Sequence, residues 1–495
     1  MATRGYAVRE GAVLTQGSLA DRAQEHAGDL SGAFGVIRDG MVVTDRFGSH
    51  PVYLSGNGQA SFDFWELAHG HEPNPAAAVE LLTYNYALGD HTLSAGLVEA
   101  PAAARTTWSD GRWFSDRYWR YNPVAGRATA SGFADTLEGV AERAGMVCQS
   151  LGMTQPGVNL TAGRDSRLVA FALKYASVRV QHYFTTEDLG REELVAAKLA
   201  RALGGEHVAL PMWWRDGQEN PPGDVVWTVG PTTLFTVSNH PMNLSKAGPF
   251  PVDGFISGHL GDVMSGDHIT SRVRLLSVKG ASAVVAHLAD AWAVVPAALL
   301  ESLLLPEHRH LVAGARDHFR QLANTIDVEH PANIATVMDL EQRQRRFILR
   351  DYNALLTLGP SMLPLADHAW ADFFSRAPLR WQFGSPLYTS GLQELFRRHG
   401  ESELLRTPTN GKQLRRVRFP EGRVVADAIS ARLKAHAGHA SAPVPWPQAE
   451  TPGVWLEDLR WLCDLGTVRQ QWTRLPMSTR RALETIARVS ARLTR

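Results

Sequence analysis

The chain has 495 residues, 44% of them hydrophobic, enough for two or three domains whose cores need neither disulfides nor metals to hold. Its 50 lysines and arginines balance 50 aspartates and glutamates, which excludes a general attraction to nucleic acid or anionic membranes, so any anion must be bound locally. Two cysteines, Cys148 and Cys463, make neither a disulfide framework nor a four-thiolate zinc site, and no apolar run spans a bilayer or forms a signal peptide, so the expectation is a cytoplasmic protein with no membrane partner.

In chain order, Gly32 to Leu54 holds two apolar runs joined by Asp39-Gly40 and closed by Gly48 and Pro51, which predicts a β-hairpin. A helix beginning near Pro75 and a loop at Gly89-Asp90 follow, and Trp108 to Pro123 reads as a second short hairpin. Residues 1–125 are therefore expected to form a small, sheet-rich domain, with a boundary between Pro123 and Ala130. From Ala134 the pattern changes to helix (134–152), strand (157–160), helix (166–176), strand (178–185), helix (191–204) and strand (207–211). This alternation predicts a parallel sheet with helices on both faces and a ligand beyond the carboxyl ends of its strands. Beyond Asp290 the chain reads as helical, interrupted by a turn-rich stretch from His436 to Gly453. From Arg480 onward, five arginines against one glutamate predict a basic, solvated helix. Glu307, His308 and His310 do not share a helix face, so no metal site is expected there.

The most informative segment is Leu160 to Arg167, LTAGRDSR, which ends a strand and opens a helix. A glycine turn at a helix start aims several N–H groups and the positive helix end at one point, which suits pyrophosphate. Thr161 and Ser166 add hydroxyl donors. Asp165 would repel a bare phosphate and fits only if it holds a bridging Mg²⁺. The spacing is not that of a kinase-type P-loop.

LTAGRDSR resembles the Ser-Gly-Gly-x-Asp-Ser pyrophosphatase loop of the asparagine synthetase superfamily, which includes β-lactam synthetases and lasso-peptide cyclases; Thr161 stands for the first serine and Ala162 for the first glycine. The following segment, His182 to His207, is similar to the family's adenine-side strand and helix and places Phe184 beside the nucleotide. Ile256 to Asp267, ISGHLGDVMSGD, is similar to the family's second glycine-rich segment, with Gly258 in the turn and Asp262 as the second magnesium ligand. The resemblance thus implies ATP bound through Thr161, Gly163, Asp165, Ser166, Phe184 and Gly258, with Mg²⁺ on Asp165 and Asp262. It also implies a fold: a small, sheet-rich domain like the N-terminal-nucleophile hydrolases, then an α/β synthetase domain (126–495) with a parallel sheet of the pyrophosphatase-loop type and a helical C-terminal part.

ATP held this way exposes its α-phosphorus to a carboxylate, and an amine then attacks the adenylate, a step that wants a base and a cation. His259, three residues before Asp262, stands where β-lactam synthetases carry a catalytic tyrosine, and an imidazole near its ordinary pKa suits proton removal at neutral pH. Its expected partner is Asp351, since Arg350 to His368 resembles the family's Arg-Val-Asp-Lys-Met to Phe-Leu-Asp-His stretch; the pair would hold the tautomer and stabilise the imidazolium. Lys412 matches the family's lysine on the pyrophosphate and adenylate side. Arg343, Arg345 and Arg346 are read as helical surface charge, with phosphate contact as the lesser alternative.

GAFGVIRDG and TDRFGSHPVYL are similar to the glutaminase domain of class II amidotransferases, but position 2 is Ala2 where that family exposes a cysteine. Glutamine hydrolysis is therefore not expected, and the amine is expected on the substrate itself. The resemblance implies an ATP-dependent carbon–nitrogen ligase that adenylates a small-molecule or peptide carboxylate and closes a lactam or macrolactam, with a leader-peptide-binding protein and a protease as possible partners. The alternatives are an ammonia-dependent synthetase and a nucleotide-binding scaffold without activity.

Overall fold

The structure is a computed structural model; it describes residues 1–124, 126–186, 191–210, 231–233, 241, 243–245, 250–261, 263–264, 275, 278, 280–379, 386–401, 404 and 454–494. The first 124 residues supply β1 (Ala2–Arg9), β2 (Ala12–Thr15), β3 (Ser31–Arg38), β4 (Met41–Thr44), β5 (Tyr53–Ser55), β6 (Ala60–Ser61), β7 (Leu97–Glu99), β8 (Ala104–Ser109) and β9 (Arg112–Arg117). They form an antiparallel six-stranded sheet in the order β2-β1-β3-β4-β8-β9 and a three-stranded sheet, β6-β5-β7. Both predicted hairpins are present, and their turns explain them. Asp39 and Gly40 have φ of 47° and 75°, and Asp110 and Gly111 have 52° and 73°; two successive positive φ values give a turn whose twist matches that of the flanking strands. The sequence reading did not include β1, which lies inside the sheet between β2 and β3.

Helices α1 (Gln16–His26), α2 (Phe64–Ala68) and α3 (Pro75–Tyr84) belong to the same region. α3 starts as its sequence dictates: the Asn74 side chain accepts from the N–H groups of Ala76 and Ala77, and Pro75 takes the first helical position, where no N–H is needed. It ends on Asn85, whose φ of 71° is the left-handed cap that asparagine tolerates.

The second sheet is parallel, with strands β10 (Gly157–Asn159), β11 (His182–Thr186), β12 (Glu206–Leu210), β13 (Phe255–Ile256) and β14 (Ser361–Met362) in the order β12-β11-β10-β13-β14. Helices α4 (Ala130–Ser150), α5 (Arg164–Tyr175) and α6 (Arg191–Leu203) alternate with the first three strands, matching the predicted alternation. From β10 the chain steps outward through β11 and β12, then returns to β10's other side with β13. The loops after β10 and β13 are therefore neighbours at the point where strand order reverses, where open parallel sheets keep their ligand crevice.

The helical remainder comprises α7 (Ala281–Ala291), α8 (Ala297–Leu303), α9 (His310–Asn324) and α10 (Ile334–Met338), which continues through a π-helical stretch, Asp339–Ile348, into α11 (Leu349–Leu355). Then come α12 (His368–Ser375), α13 (Pro386–Arg398), α14 (Leu465–Gln471) and α15 (Met477–Leu493). The chain is thus mixed α/β, one parallel sheet with antiparallel sheets and many helices. One apolar cluster runs from Tyr6 and Tyr84 to Trp370 and Ile486, and the Tyr6 hydroxyl, which donates to the Leu363 carbonyl at 2.8 Å, ties β1 to the turn after β14.

One expectation changes here. The last helix is not a solvated basic rod, because α15 buries Leu483, Ile486, Val489 and Leu493; counting arginines overlooked the apolar residues spaced along its other face. The stretch His436–Gly453 lies outside the described residues. Among the described residues, no helix is long and apolar enough to cross a membrane.

Candidate functional site

The site grows from the two loops at the strand reversal. After β10 the chain turns through Leu160 to Gly163 and enters α5 at Arg164. Side-chain hydroxyls shape that turn: the Gly163 N–H donates to Thr161 Oγ1 at 3.0 Å, and the Thr161 N–H donates to Ser166 Oγ at 3.1 Å. After β13, residues 257–261 run alongside. A Cβ on Gly258 would lie 3.1 Å from the Ser166 backbone nitrogen, and one on Gly261 would lie 2.3 Å from the Asp165 carboxyl carbon. At Gly261 a side chain would force Asp165 to shift, and at Gly258 it would press on the helix start, so both glycines are explained by contact rather than by turn geometry. Leu260 between them has φ 71°, a left-handed conformation costly for a leucine, and the Trp370 indole N–H holds its carbonyl at 3.1 Å.

Together the loops line a cleft of about 280 Å³, with Asn159, Thr161, Asp165 and Ser166 on one side, Ser257, Gly258 and His259 on the other, and Arg343, Gln344 and Ile348 of the π-helix across it. The Asp165 carboxylate sits at the first turn of α5 and accepts from the Tyr388 hydroxyl at 2.6 Å, while the Arg164 guanidinium lies 4.9 Å from the Tyr388 ring centre. The positive end of α5, backbone N–H groups, two hydroxyls and a positioned carboxylate thus meet at one cleft, hydrogen-bond donors of the kind that suit an anion beside an oxygen ligand that suits a cation.

His259 and Asp351 are far apart in sequence yet face each other, His259 Nε2 lying 3.7 Å from Asp351 Oδ2. Burial pushes the imidazole down to about 4 and the Asp351 carboxyl up to about 8. Between those values the pair holds one proton and no net charge, and its macroscopic steps belong to both groups. The sequence reading placed His259 near its ordinary pKa; desolvation overturns that. It also assigned the tautomer to Asp351, but the short contact is with Ser257, whose Oγ lies 2.5 Å from His259 Nδ1. Ser257 Oγ and Nδ1 share a hydrogen bond whose donor depends on the ring tautomer. Asp351 Oδ1 is buried and has no hydrogen-bond partner among the described residues, and a polar atom left so is costly unless another group completes it.

The structure therefore brings Thr161, Asp165, Ser166, Gly258 and His259 onto one cleft, with Gly163 at the start of α5 and Asp351 against His259. It places Phe184 elsewhere. That ring is fully buried among Phe250, Phe255 and Leu355, with centroids 4.9 Å from Phe250 and 6.5 Å from Phe255, so it is a core residue and not a lining one. Asp262 and Lys412 lie outside the described residues.

The arginine reading is corrected in part. Arg345 and Arg346 are buried, not surface charge; they and Arg350 converge on the Glu99 carboxylate at 2.9, 2.7 and 2.5 Å. Arg343 remains on the cleft, 3.4 Å from Asp339. Ser257, Tyr388 and Gln344 were not singled out from sequence, and only Ser257, beside the second glycine loop, carried a local signal. Among known proteins, no family model matches this chain and no curated protein matches it.

Proposed function

We propose that the chain is an ATP-dependent amide-bond-forming synthetase that adenylates a substrate carboxylate and couples it to an amine, releasing AMP and pyrophosphate. The observation that carries this reading is the meeting of the two glycine loops at the strand reversal, with Asp165 at their contact and His259, paired with Asp351 behind it, lining the same cleft. On this reading residues 1–125 are a class II amidotransferase-like domain of the N-terminal-nucleophile type that no longer hydrolyses glutamine, and residues 126–495 are a synthetase domain of the pyrophosphatase-loop type.

Each residue then has a task. Thr161, Gly163, Ser166 and the first amides of α5 hold the β- and γ-phosphates, and Arg343 faces them across the cleft. Asp165, with Asp262, is the ligand set for Mg²⁺, which when bound offsets phosphate charge. A carboxylate oxygen of the substrate attacks the α-phosphorus and the bond to pyrophosphate breaks. The amine nitrogen then attacks the acyl carbon, AMP leaves, and the amine's proton passes to the His259–Asp351 pair. Lys412 is assigned to the oxyanion on the resemblance of its segment alone. A carboxylate and an amine on one molecule make the product a lactam or macrolactam, and a peptide substrate would bring the leader-binding protein and protease as partners.

ATP–pyrophosphate exchange with candidate small acids and peptide carboxylates tests the first step, repeated on Asp165→Ala. Exchange with some acid, lost by about 1,000-fold in the variant, is the expected result. No exchange with any acid, together with no binding of ATP, would leave only a scaffold.

A further inference from the structure

Away from the cleft, three side chains with metal-ligating atoms meet where the N-terminal region docks on the helical remainder. Glu80 comes from the middle of α3, His91 from the loop that follows, and His318 from α9, distant in sequence. Glu80 Oε1 lies 2.9 Å from His91 Nδ1 and 2.6 Å from His318 Nδ1. All three potential ligand atoms fall within 4.8 Å of one another. The carboxylate is 2% exposed and pre-oriented, because the Leu88 N–H donates to Oε2 at 2.8 Å and turns Oε1 toward the two rings. The imidazoles lie side by side, centroids 4.5 Å apart. The loop closes down on α9 at Gly89, where a Cβ would come within 3.1 Å of His318 Nε2.

We propose that Glu80, His91 and His318 form a zinc site that clamps α3 and its following loop to α9. Two imidazoles and one carboxylate are a recurrent three-ligand set for this ion, with water as the fourth ligand. Here water has access, since the His91 and His318 side chains are 32% and 21% exposed. The geometry asks for little movement. Bonds of about 2.0 to 2.1 Å in a tetrahedron put ligand atoms about 3.3 Å apart, so the two contacts to Glu80 need open by less than about 1 Å, and the two ring nitrogens, within 4.8 Å of each other, need close by no more than about 1.5 Å. Mg²⁺, which takes oxygen ligands in an octahedron, does not suit two nitrogens; the site is therefore separate from the one assigned to ATP and independent of the reading of the cleft.

The experiment uses the full chain, freed of metal by chelation, then titrated with Zn²⁺ against a chromophoric chelator in the absence of ATP and Mg²⁺. The expected result is one tightly held zinc per chain, and a Co²⁺-substituted form with visible absorption bands. His91→Ala and His318→Gln are each expected to weaken binding by more than about 100-fold, beyond the loss typical of an outer-shell partner. His310→Ala, at an exposed position at the start of the same helix, leaves it unchanged. Since His91 is half-buried in a loop, its variant keeps the test alive if His318→Gln does not fold. Equal zinc affinity of the wild type and His91→Ala, or no zinc retained by the wild type, overturns the proposal.

Discussion

Between residues 343 and 351 one continuous helical run presents two faces to two different environments. One face carries Arg345, Arg346 and Arg350 into the N-terminal region. There Glu99 and the carbonyls of Ala87, His91 and Ala100 accept from them. The other face carries Arg343 and Gln344 to the cleft and Asp351 to His259, leaving Asp351 Oδ1 without a partner among the described residues. The first set pairs its charges within the protein, although Arg345 Nε and Arg350 Nε are themselves buried without a hydrogen-bond partner among the described residues; the second borders the cleft. The difference separates charges that hold the two regions together from polar groups beside a cavity. The π-helical stretch lies where the two meet, and such windings recur at functional sites.

The largest expected effect comes from breaking the paired face. Burial alone would raise the Glu99 carboxyl, but Arg346, Arg350 and Arg345 outweigh it and hold it at about 2. Its folded pKa lies below the ordinary 4.5, so its contribution, about 3 kcal/mol, is present above pH 4.5 and lost as the pH falls toward 2. Glu99→Ala removes the carboxylate and leaves three buried cations around nothing, at a cost of about 5 kcal/mol or more. A variant that is insoluble, or that unfolds at far lower urea, is the expected outcome; a near-normal urea midpoint would show that the cluster is not what joins the regions.

The cleft face should respond in rate and not in stability. Asp351→Asn is expected to lower amide formation by about 100-fold or more, leaving ATP–pyrophosphate exchange within a few-fold and the urea midpoint unchanged or raised, because a buried ionisable group has gone. The pH dependence sharpens this. The pair loses its last proton near pH 8, so amide formation should rise with pH through that value, and Asp351→Asn should abolish the rise. A rate flat between pH 6 and pH 9 would detach the pair from catalysis. Gly261→Ala ranks next. Its Cβ would stand 2.3 Å from the Asp165 carboxyl carbon, and overpacking of about 1 to 3 kcal/mol predicts exchange lowered by about 10- to 100-fold.

How much of this was legible beforehand follows the distance over which each signal acts. Asp39-Gly40, Pro75 and the strand-turn-helix of LTAGRDSR are local, and their elements stand where the sequence put them. The pairing of β13 beside β10, the meeting of His259 with Asp351 and the Tyr388 contact to Asp165 are long-range. Only the resemblance of motifs hinted at the second of these. The burial of Arg345 and Arg346 was not legible, because a basic run on a helix looks the same whether water or a distant glutamate faces it. Nor was the cluster of Glu80, His91 and His318, whose residues lie on separate elements and match no spacing rule. The burial of the Phe184 ring was not legible either: alternate side chains on a strand point to opposite faces, and the sequence did not show that this one packs on Phe250 and Phe255.

The smallest effect tests whether position, and not charge alone, divides the two faces. Glu341 lies in the π-helical stretch just before that run and also joins the regions, accepting from Arg120 at 2.7 Å and Arg117 at 3.1 Å. Burial would raise its carboxyl, but the two arginines hold it below the usual range. The arginine side chains are 29% and 32% exposed, so water and ions reach this pair as they do not reach Glu99. Glu341→Gln should therefore cost only about 1 kcal/mol. That cost should shrink as salt is raised, since ions reach partly exposed pairs and screen them more than buried ones. The loss from Glu99→Gln should persist at high salt. A Glu341 effect as large and as indifferent to salt as that of Glu99 would mean that the rim is sealed, and that the boundary between the N-terminal region and the helical remainder is one continuous buried interface with no wet edge.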